Sequence, residues 1–411
     1  MRLSVYLLRR VLLLLPVIIG VVSITFVLVS ALPIPTRLTA LYGSPNPHDP
    51  WIYSPTEPCP APHSSQQCYN PTYYYFLNRS GLSAPVPVQW ATYVGNIFTF
   101  HWGYVSNGST VAFAFPETAG QPVTTVLSWF LPYTIELVAL AMGILLVVAL
   151  PLGRLGAANR NRPVDHAARA LSFTGFALPT YLLGSILITV FVLVVGYKSG
   201  FFGQSAWCPA GETTWQEVLG SWPSSFCFPD NQYPGWLTMG VISHPTGFPT
   251  LDAFLNGAPW LGADTLLRLI FPAVVIAFAH LGLLLRYVRN GTLEVMNLDY
   301  VRTARASGFS ERVVVNWYTA RNSLTLTVTV LAVSFATFFG WLPIAELLFQ
   351  LNGVGLIVAL GAQSGGGGID YGIITGATLT LTFMVVVANV IADIIVAYLD
   401  PRVRLGETLA I

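Results

Sequence analysis

Long apolar stretches alternate with shorter polar ones along the chain. A membrane-spanning helix needs about 20 mostly apolar residues, and six stretches with at most one charged residue each approach or exceed that length. Because lipid offers no partners to unpaired backbone groups, each stretch is predicted to be helical. The pattern predicts an all-α integral membrane protein with six transmembrane helices, over residues 11–32, 126–152, 170–196, 269–285, 322–345 and 371–399.

Composition supports this class. Of the 411 residues, 54% are hydrophobic and 9% are charged, whereas soluble domains carry about 25% charged residues. The charges lie between the apolar stretches, which excludes a soluble globular protein.

The first stretch has 22 residues, longer than the apolar part of a signal peptide. We therefore interpret it as a retained span.

Basic residues predict the orientation, because Lys and Arg near spans collect on the cytoplasmic side. With the N-terminus inside, fifteen basic residues lie in inside segments and four lie outside. The outside four are Arg37, Arg79, Lys198 and Arg268. Both ends of the chain are predicted to be cytoplasmic, in a multi-pass protein of the plasma membrane.

The spans divide the chain into segments. The N-terminal end and span one occupy residues 1–32. Spans two and three occupy residues 126–196 and are joined by the cytoplasmic loop 153–169. Spans four to six occupy residues 269–399 and include the cytoplasmic loop 286–321. Residues 33–125 and 197–268 are large extracellular loops, and 400–411 form a cytoplasmic tail. The large loops are candidates for docking an extracellular binding protein, for covering a pore mouth, or for protecting the fold.

All four cysteines lie in these two loops, two in each. Disulfides persist outside the cell, which favours Cys59–Cys68 and Cys208–Cys227, although four cysteines allow three connectivities and free thiols are the alternative. Asn78 and Asn107 begin N-x-S sequons and are candidate glycosylation sites.

Three ionisable residues lie within or at the edge of spans: Glu136, His280 and Asp393. Such groups are costly in lipid and are functional hypotheses by default. None has metal-ligand spacing relative to another. We expect structural pairing for the two carboxylates and core packing for His280.

The loop before span five carries the most informative pattern. Residues 299–306 are good helix formers, and Gly308 follows at a helix stop. Ser310 and Glu311 then begin a second helix that leads into span five. Gly308 permits a close approach or a left-handed backbone. The nearby Arg302, Arg305 and Arg312 offer bidentate donors to carboxylates, with topology or binding of anionic lipid as the alternative.

The sequence of residues 300–308, YVRTARASG, closely resembles the EAA-type cytoplasmic loop of the dipeptide/oligopeptide/nickel class of ABC importer permeases. Gly308 matches the motif glycine and Ala304 its second alanine, while Arg302 and Thr303 replace the Glu and Ala of the wider superfamily. Resemblance extends over residues 1–32, 90–196 and 265–405. Two prolines typical of the family are missing, one near Thr325 and one before Gly353.

The resemblance implies a type I ABC importer permease fold and half of a pore for di- or oligopeptides delivered by an extracellular substrate-binding protein. It also implies a second homologous permease subunit and two cytoplasmic ATPase subunits that bind ATP and Mg. Membrane lipid is a further expected partner, and nucleic acid is not expected to bind. No cofactor, metal or catalytic residue is expected in this chain. Its sole lysine, Lys198, is outside and forms no Walker A loop, so ATP hydrolysis is expected from the partner subunits. The implied ATPase-docking coupling helix comprises Asp299, Tyr300, Arg302, Thr303, Ala304, Arg305, Ala306, Gly308 and Glu311.

Two alternatives remain open from the residues. The same machine is compatible with oligosaccharides, which the aromatic loops would suit, or with nickel. A different class, an ion-coupled secondary transporter, would use intramembrane carboxylates, but few are present and inverted halves are not evident.

Overall fold

The computed structural model of the chain describes residues 3–32, 34, 37–38, 80–195, 246–255, 259–349, 351–363 and 369–399. The regular structure of these residues is helical, apart from one isolated β-bridge between Tyr104 and Pro122. The four cysteines and Asn78 lie outside the described residues. Both disulfide assignments therefore stay predictions.

The helices are numbered in chain order over the described residues. In chain order they are α1 (Leu3–Ser30), α2 (Val86–Phe98), α3 (Thr110–Ala114), α4 (Val123–Ala158), α5 (Pro163–Ala177), α6 (Thr180–Val195), α7 (Pro249–Leu255), α8 (Pro259–Met296), α9 (Asp299–Ala306), α10 (Glu311–Val313), α11 (Ala320–Phe349), α12 (Val354–Gly361) and α13 (Tyr371–Leu399). A 3-10 turn (Pro116–Thr118) follows α3, and a π-helical segment (Val314–Thr319) joins α10 to α11.

Three helices of the described part are long and apolar enough to cross a membrane unbroken: α4, the Leu269–Met296 part of α8 and the Tyr371–Ile395 part of α13. Two bent helix pairs, α5 with α6 and α11 with α12, raise the number to five if each pair counts as one crossing. The apolar part of α1 within Leu15–Ser30 is shorter. The chain is a multi-pass helical membrane protein.

The third predicted span differs from the structure. The sequence pattern predicts one helix over residues 170–196, but α5 ends at Ala177 and α6 begins at Thr180, with a bend of 103° between them. Leu178 at the break is extended, with φ −89° and ψ 120°. The cause is Pro179, because a proline disfavours helical backbone at the residue before it. Hydropathy does not register this bend, since the surrounding residues are all apolar.

The core is built around α8, which packs against α4, α11 and α5. Its most apolar window is 61% buried, against 28% for α4 and 17% for α13. The fully buried side chains of this core include Leu145 of α4, Ile276 and Leu284 of α8, and Phe338 of α11. Gly153 brings α4 close to α8, because a Cβ at that position would lie 2.6 Å from Val288 Cγ1. Small residues at helix contacts are typical of membrane proteins.

Candidate functional site

Helix α9 lies between α8 and α10 in the chain, and its two faces differ sharply. Val301 and Ala304, three residues apart, are buried against Val295 and Val314. The side chain of Asp299 is 98% exposed and that of Arg302 is 69% exposed. This short helix therefore rests on an apolar base and presents polar side chains to the surroundings. Its bounds agree with the helix predicted from the sequence.

The C-terminal end of α9 is a Schellman motif. The Gly308 amide donates to Arg305 O at 3.0 Å, and the Phe309 amide donates to Ala304 O at 3.3 Å. Gly308 has φ +83°, and no atom of the described residues would lie within 4 Å of a Cβ built there. Of the two reasons offered for this glycine, the left-handed backbone applies, whereas no described segment approaches it closely.

The two described arginine side chains of α9 have different surroundings. Arg305 Nε donates to Glu311 Oε1 at 2.8 Å, and Arg305 Nη1 donates to Met296 O at 3.4 Å. Arg302 Nη1 lies 3.5 Å from Asp299 Oδ1, with both side chains exposed, so this ion pair contributes little to stability. Arg305 thus braces the loop, while Arg302 is available to a partner. The Arg312 side chain lies outside the described residues.

An apolar rim surrounds α9, and the sequence analysis did not identify it. Trp317 is 78% exposed and Phe309 is 47% exposed. The Phe309 ring lies 5.4 Å from that of Tyr318, whose backbone oxygen accepts a hydrogen bond from Tyr300 Oη at 3.3 Å. Trp317 belongs to the π-helical segment, a feature frequent at functional sites. The sequence did contain a signal for this residue, because Trp317 lies in the predicted non-spanning segment 286–321, where a large aromatic side chain is not needed to contact lipid.

Asp165 lies in the first turn of α5, within the predicted loop 153–169, and connects α5 to α8. Its carboxylate is fully buried and accepts from Arg289 Nε at 2.6 Å and from Arg289 Nη2 at 3.0 Å. Arg169 and the Asn161 amide also donate to Asp165 Oδ2. The sequence analysis used these arginines only for orientation. The signal it missed is a lone carboxylate in an arginine-rich loop, which points to a charge-assisted clamp.

At the opposite end of the bundle, Glu346 of α11 holds the start of α12. It is 1% exposed and accepts from Thr134 Oγ1 at 2.9 Å and from the Leu356 amide at 3.0 Å. The Val354 amide in turn donates to Thr134 Oγ1 at 2.8 Å. A carboxylate at a helix N-terminus satisfies amides that lack partners within the helix. Glu346 lies one residue beyond the predicted fifth span, and the sequence analysis overlooked it.

The predicted intramembrane residues Glu136 and His280 serve the packing of the fold. Glu136 Oε1 accepts from the Thr250 amide at 3.0 Å, and Glu136 Oε2 accepts from Thr250 Oγ1 at 2.8 Å, which holds the start of α7. The His280 Nε2 atom lies 2.7 Å from Thr337 Oγ1, and its ring packs edge-on to Phe338 at 4.6 Å. Asp393 lies on α13. Within the described residues, no group of three His, Cys, Asp or Glu side chains could hold a metal ion.

The turn before α13 is held in place by another carboxylate. Asp370 accepts from the Ser106 amide at 2.9 Å and from the Ile373 amide at 3.0 Å, and burial raises the pKa of this carboxyl. Asn107, the sequon residue within the described part, is exposed beside this contact. The hydroxyl of Ser109 in the same sequon is buried and caps α3 by accepting from the Ala112 amide.

Residues 149–405 match the family described as binding-protein-dependent transport system inner membrane components. The chain belongs to this family. The matched region of the permease begins near the end of α4 and contains α5 to α13, so it includes α9, the Asp165 clamp and the Glu346 contact. Helices α1, α2 and α3 precede it.

Named relatives extend the likeness of this permease beyond that region. It is 31% identical to a probable D,D-dipeptide transport system permease protein of Escherichia coli over 79% of this chain and 82% of that one. It is 27% identical to an oligopeptide transport system permease protein of Bacillus subtilis over 98% of this chain and 99% of the relative. A dipeptide transport system permease protein of Haemophilus influenzae is 28% identical over 73% and 79%. The permease therefore resembles these peptide-system relatives over 79% to 99% of their length.

Proposed function

We propose that this permease subunit forms half of the pore of an ATP-driven importer for di- or oligopeptides, with an extracellular binding protein delivering the substrate. The relatives named for dipeptide and oligopeptide transport support peptides over the alternatives of oligosaccharides and nickel. Membership in a binding-protein-dependent family argues against an ion-coupled secondary transporter.

The observation that carries this proposal is the arrangement of α9. The excess of basic residues in loops 153–169 and 286–321 assigns this end, and both chain termini, to the cytoplasm. An amphipathic helix held outside the spans, with Arg302 exposed and Trp317 on its rim, is a docking surface for a separate protein. Arginine and tryptophan are enriched at interface hot spots. We assign the ATPase contact to this surface.

The connection from α9 to the pore is mechanical. Helix α8 has 38 residues, a length of about 57 Å, well beyond the ~30 Å hydrocarbon core. Its cytoplasmic extension is clamped to the loop 153–169 by Asp165 and Arg289. Movement of α9 by an ATPase would therefore displace α8 together with α4 and α5. Such rigid-body displacement would alternate the pore between outward-open and inward-open states.

The full assembly would combine this chain with a second homologous permease subunit and two ATPases that bind ATP and Mg. We assign six crossings to this chain, by α1, α4, the bent pair α5–α6, α8, α11 and α13. In this arrangement, the Glu346-anchored α12 and the Glu136-anchored α7 lie on the extracellular side, where the binding protein would release its peptide.

The test is reconstitution of the permease in liposomes with its encoded ATPases and binding protein. We expect peptide-loaded binding protein to stimulate ATP hydrolysis and to drive peptide uptake that stops without ATP. Permease that lacks the ATPases is the matched control and is expected to show no uptake. Uptake driven by an ion gradient in that control would contradict the proposal.

A further inference from the structure

A cavity of about 70 Å³ lies between α1, α2 and the start of α13, at the end of the bundle opposite α9. Phe26, Val29 and Leu379 form apolar parts of its wall, and Arg37, Gln89 and Tyr93 are among its polar residues. The volume exceeds that needed by a single water molecule severalfold. The cavity therefore has room for a small polar group next to an apolar surface.

Arg37 is the charged group of this cavity, and its side chain is held in place. It is 8% exposed, and its Nη2 donates to Gln89 Oε1 at 2.7 Å. Gln89 Nε2 donates to Leu82 O at 2.9 Å and to Ala84 O at 2.7 Å, which orients the Gln89 oxygen toward the guanidinium. Burial lowers the pKa of Arg37. The Arg37 side chain is therefore held in position, but the acceptor that Gln89 offers to its buried positive charge is neutral.

The cavity also contains donors that lack acceptors. Arg37 Nε and Tyr93 Oη are buried and have no hydrogen-bond partner among the residues that the structure describes. None of the described residues in the cavity wall carries a carboxylate. Buried charges in proteins are normally paired, and buried donors are normally satisfied. An anionic oxygen group would satisfy both atoms and balance the charge.

Helix α2 indicates the source of that anion. Its sequence, VPVQWATYVGNIF, contains no charged residue, and it exposes Val86, Val88 and Phe98 at 50% or more. Trp90 Nε1 donates to Ser23 Oγ at 3.0 Å, and Ser23 lies about two turns before the end of α1. Helix α2 thus lies beside the outer part of a span, at the level where tryptophan anchors proteins in the membrane interface.

We propose that this cavity binds the phosphate group of a membrane phospholipid, with Arg37 and Tyr93 as hydrogen-bond donors and Phe26 and Val29 as contacts for the apolar part of the lipid. Arginine binds phosphate through paired N–H groups. The bound lipid would fix α2 against α1 and α13. The proposal does not depend on the transported substrate or on the ATPase contact.

The test uses the purified full-length permease, with the subunits that accompany it, after delipidation. Dioleoylphosphatidylglycerol is titrated, and bound lipid is counted by native mass spectrometry while the melting temperature is recorded. We expect one tightly bound lipid per chain. Arg37→Gln should weaken its binding about tenfold or more, because it removes a charge-assisted contact. Arg160→Gln, which removes an exposed arginine at the other end, should bind lipid like the wild type.

Tyr93→Phe gives an independent result if Arg37→Gln fails to fold. It keeps the ring, which lies 5.6 Å from Phe26, and removes the hydroxyl alone. We expect weaker lipid binding and a smaller lipid-induced rise in melting temperature. Unchanged lipid binding in this variant, with a higher melting temperature, would indicate an unsatisfied hydroxyl in an empty cavity and overturn the proposal. Equal stabilisation by inorganic phosphate at the same concentration would overturn the assignment to a lipid.

Discussion

Gly308 stops α9 because two reversed hydrogen bonds, from its own amide and from that of Phe309, require a left-handed residue at this position. Space is not the constraint, since a Cβ there would contact nothing within 4 Å. The effect of substituting Gly308 is therefore a matter of backbone conformation, and different side chains should give different results.

Gly308→Val should uncouple ATP hydrolysis from transport. Left-handed backbone costs an ordinary L-residue about 1–2 kcal/mol, and β-branched residues are particularly unsuited to it. We expect the end of α9 to unwind, with ATP hydrolysis largely kept and peptide uptake reduced severalfold in liposomes.

The matched control is Gly308→Asn, because asparagine tolerates left-handed backbone. It should keep most of the uptake. Wild-type uptake by the Val variant would count against α9 as the coupling helix.

The buried carboxylate of Asp165 makes a second residue-scale prediction. Asp165→Asn leaves Arg289 partly buried without its ionic partner, and we expect the free energy of unfolding to fall by about 1–3 kcal/mol, below the cost for a fully buried pair because both arginines retain some exposure. Thermal melting of the purified permease measures this change. Asp299→Asn, at a 98% exposed carboxylate, serves as control and should melt like the wild type. Equal melting temperatures for the two variants would refute the clamp.

At the scale of elements, the contact between α11 and α12 depends on glycine. A Cβ at Gly353 would lie 2.2 Å from the Glu346 carboxylate, and one at Gly355 would lie 2.7 Å from the Leu342 carbonyl carbon. The start of α12 can therefore approach α11 only where side chains are absent. This close approach brings the α12 amides within hydrogen-bond distance of Glu346.

Gly353→Ala should separate α12 from α11, because the Glu346 carboxylate that its Cβ would meet is held by hydrogen bonds from Thr134 and from the Leu356 amide. Overpacking of this kind costs about 1–3 kcal/mol, which would appear as a lower melting temperature. Gly340→Ala in α11 is the matched control, since no atom lies within 4 Å of its Cβ position, and it should be neutral or stabilising. The contact would be disproved if both variants melted alike.

At the scale of the whole molecule, α8 is the element that joins the ends. It packs against α4, α11 and α5 within the bundle and continues to the base of α9. Its interior position distinguishes it from α13, because the apolar window of α8 is 61% buried within the chain and that of α13 is 17% buried. In the proposed function, motion of α9 would be transmitted through a packed helix, which favours rigid-body displacement over local bending.

The orientation of this molecule can be tested by chemical labelling. Arg302→Cys, introduced after the four native cysteines are replaced by serine, should react with a membrane-impermeant maleimide in inverted vesicles and stay unlabelled in intact cells. Asn107→Cys, at an exposed turn of the opposite end, should show the reverse pattern. Labelling of the Arg302→Cys variant from outside intact cells would invalidate the cytoplasmic assignment of α9.

The sequence by itself determined the helical class, the bounds of α9 and the position of α13, which coincides with the apolar stretch 371–399. These features depend on contiguous residues: lipid requires a continuous apolar helix, and a glycine allows a left-handed stop. The family was already indicated by the motif at residues 300–308. The bend at Pro179 was also a local signal, but the apolar pattern concealed it.

Only the tertiary structure decided which polar groups meet. Asp165 and Arg289 are 124 residues apart in the chain, Thr134 and Glu346 are 212 apart, and Arg37 and Gln89 are 52 apart. Such contacts depend on how separate helices pack and on where glycines permit close approach, and no local rule of hydropathy or propensity contains that information. For this reason, the sequence predicted the bounds of α9 but not the Asp165 clamp, the anchored α12 or the arginine cavity.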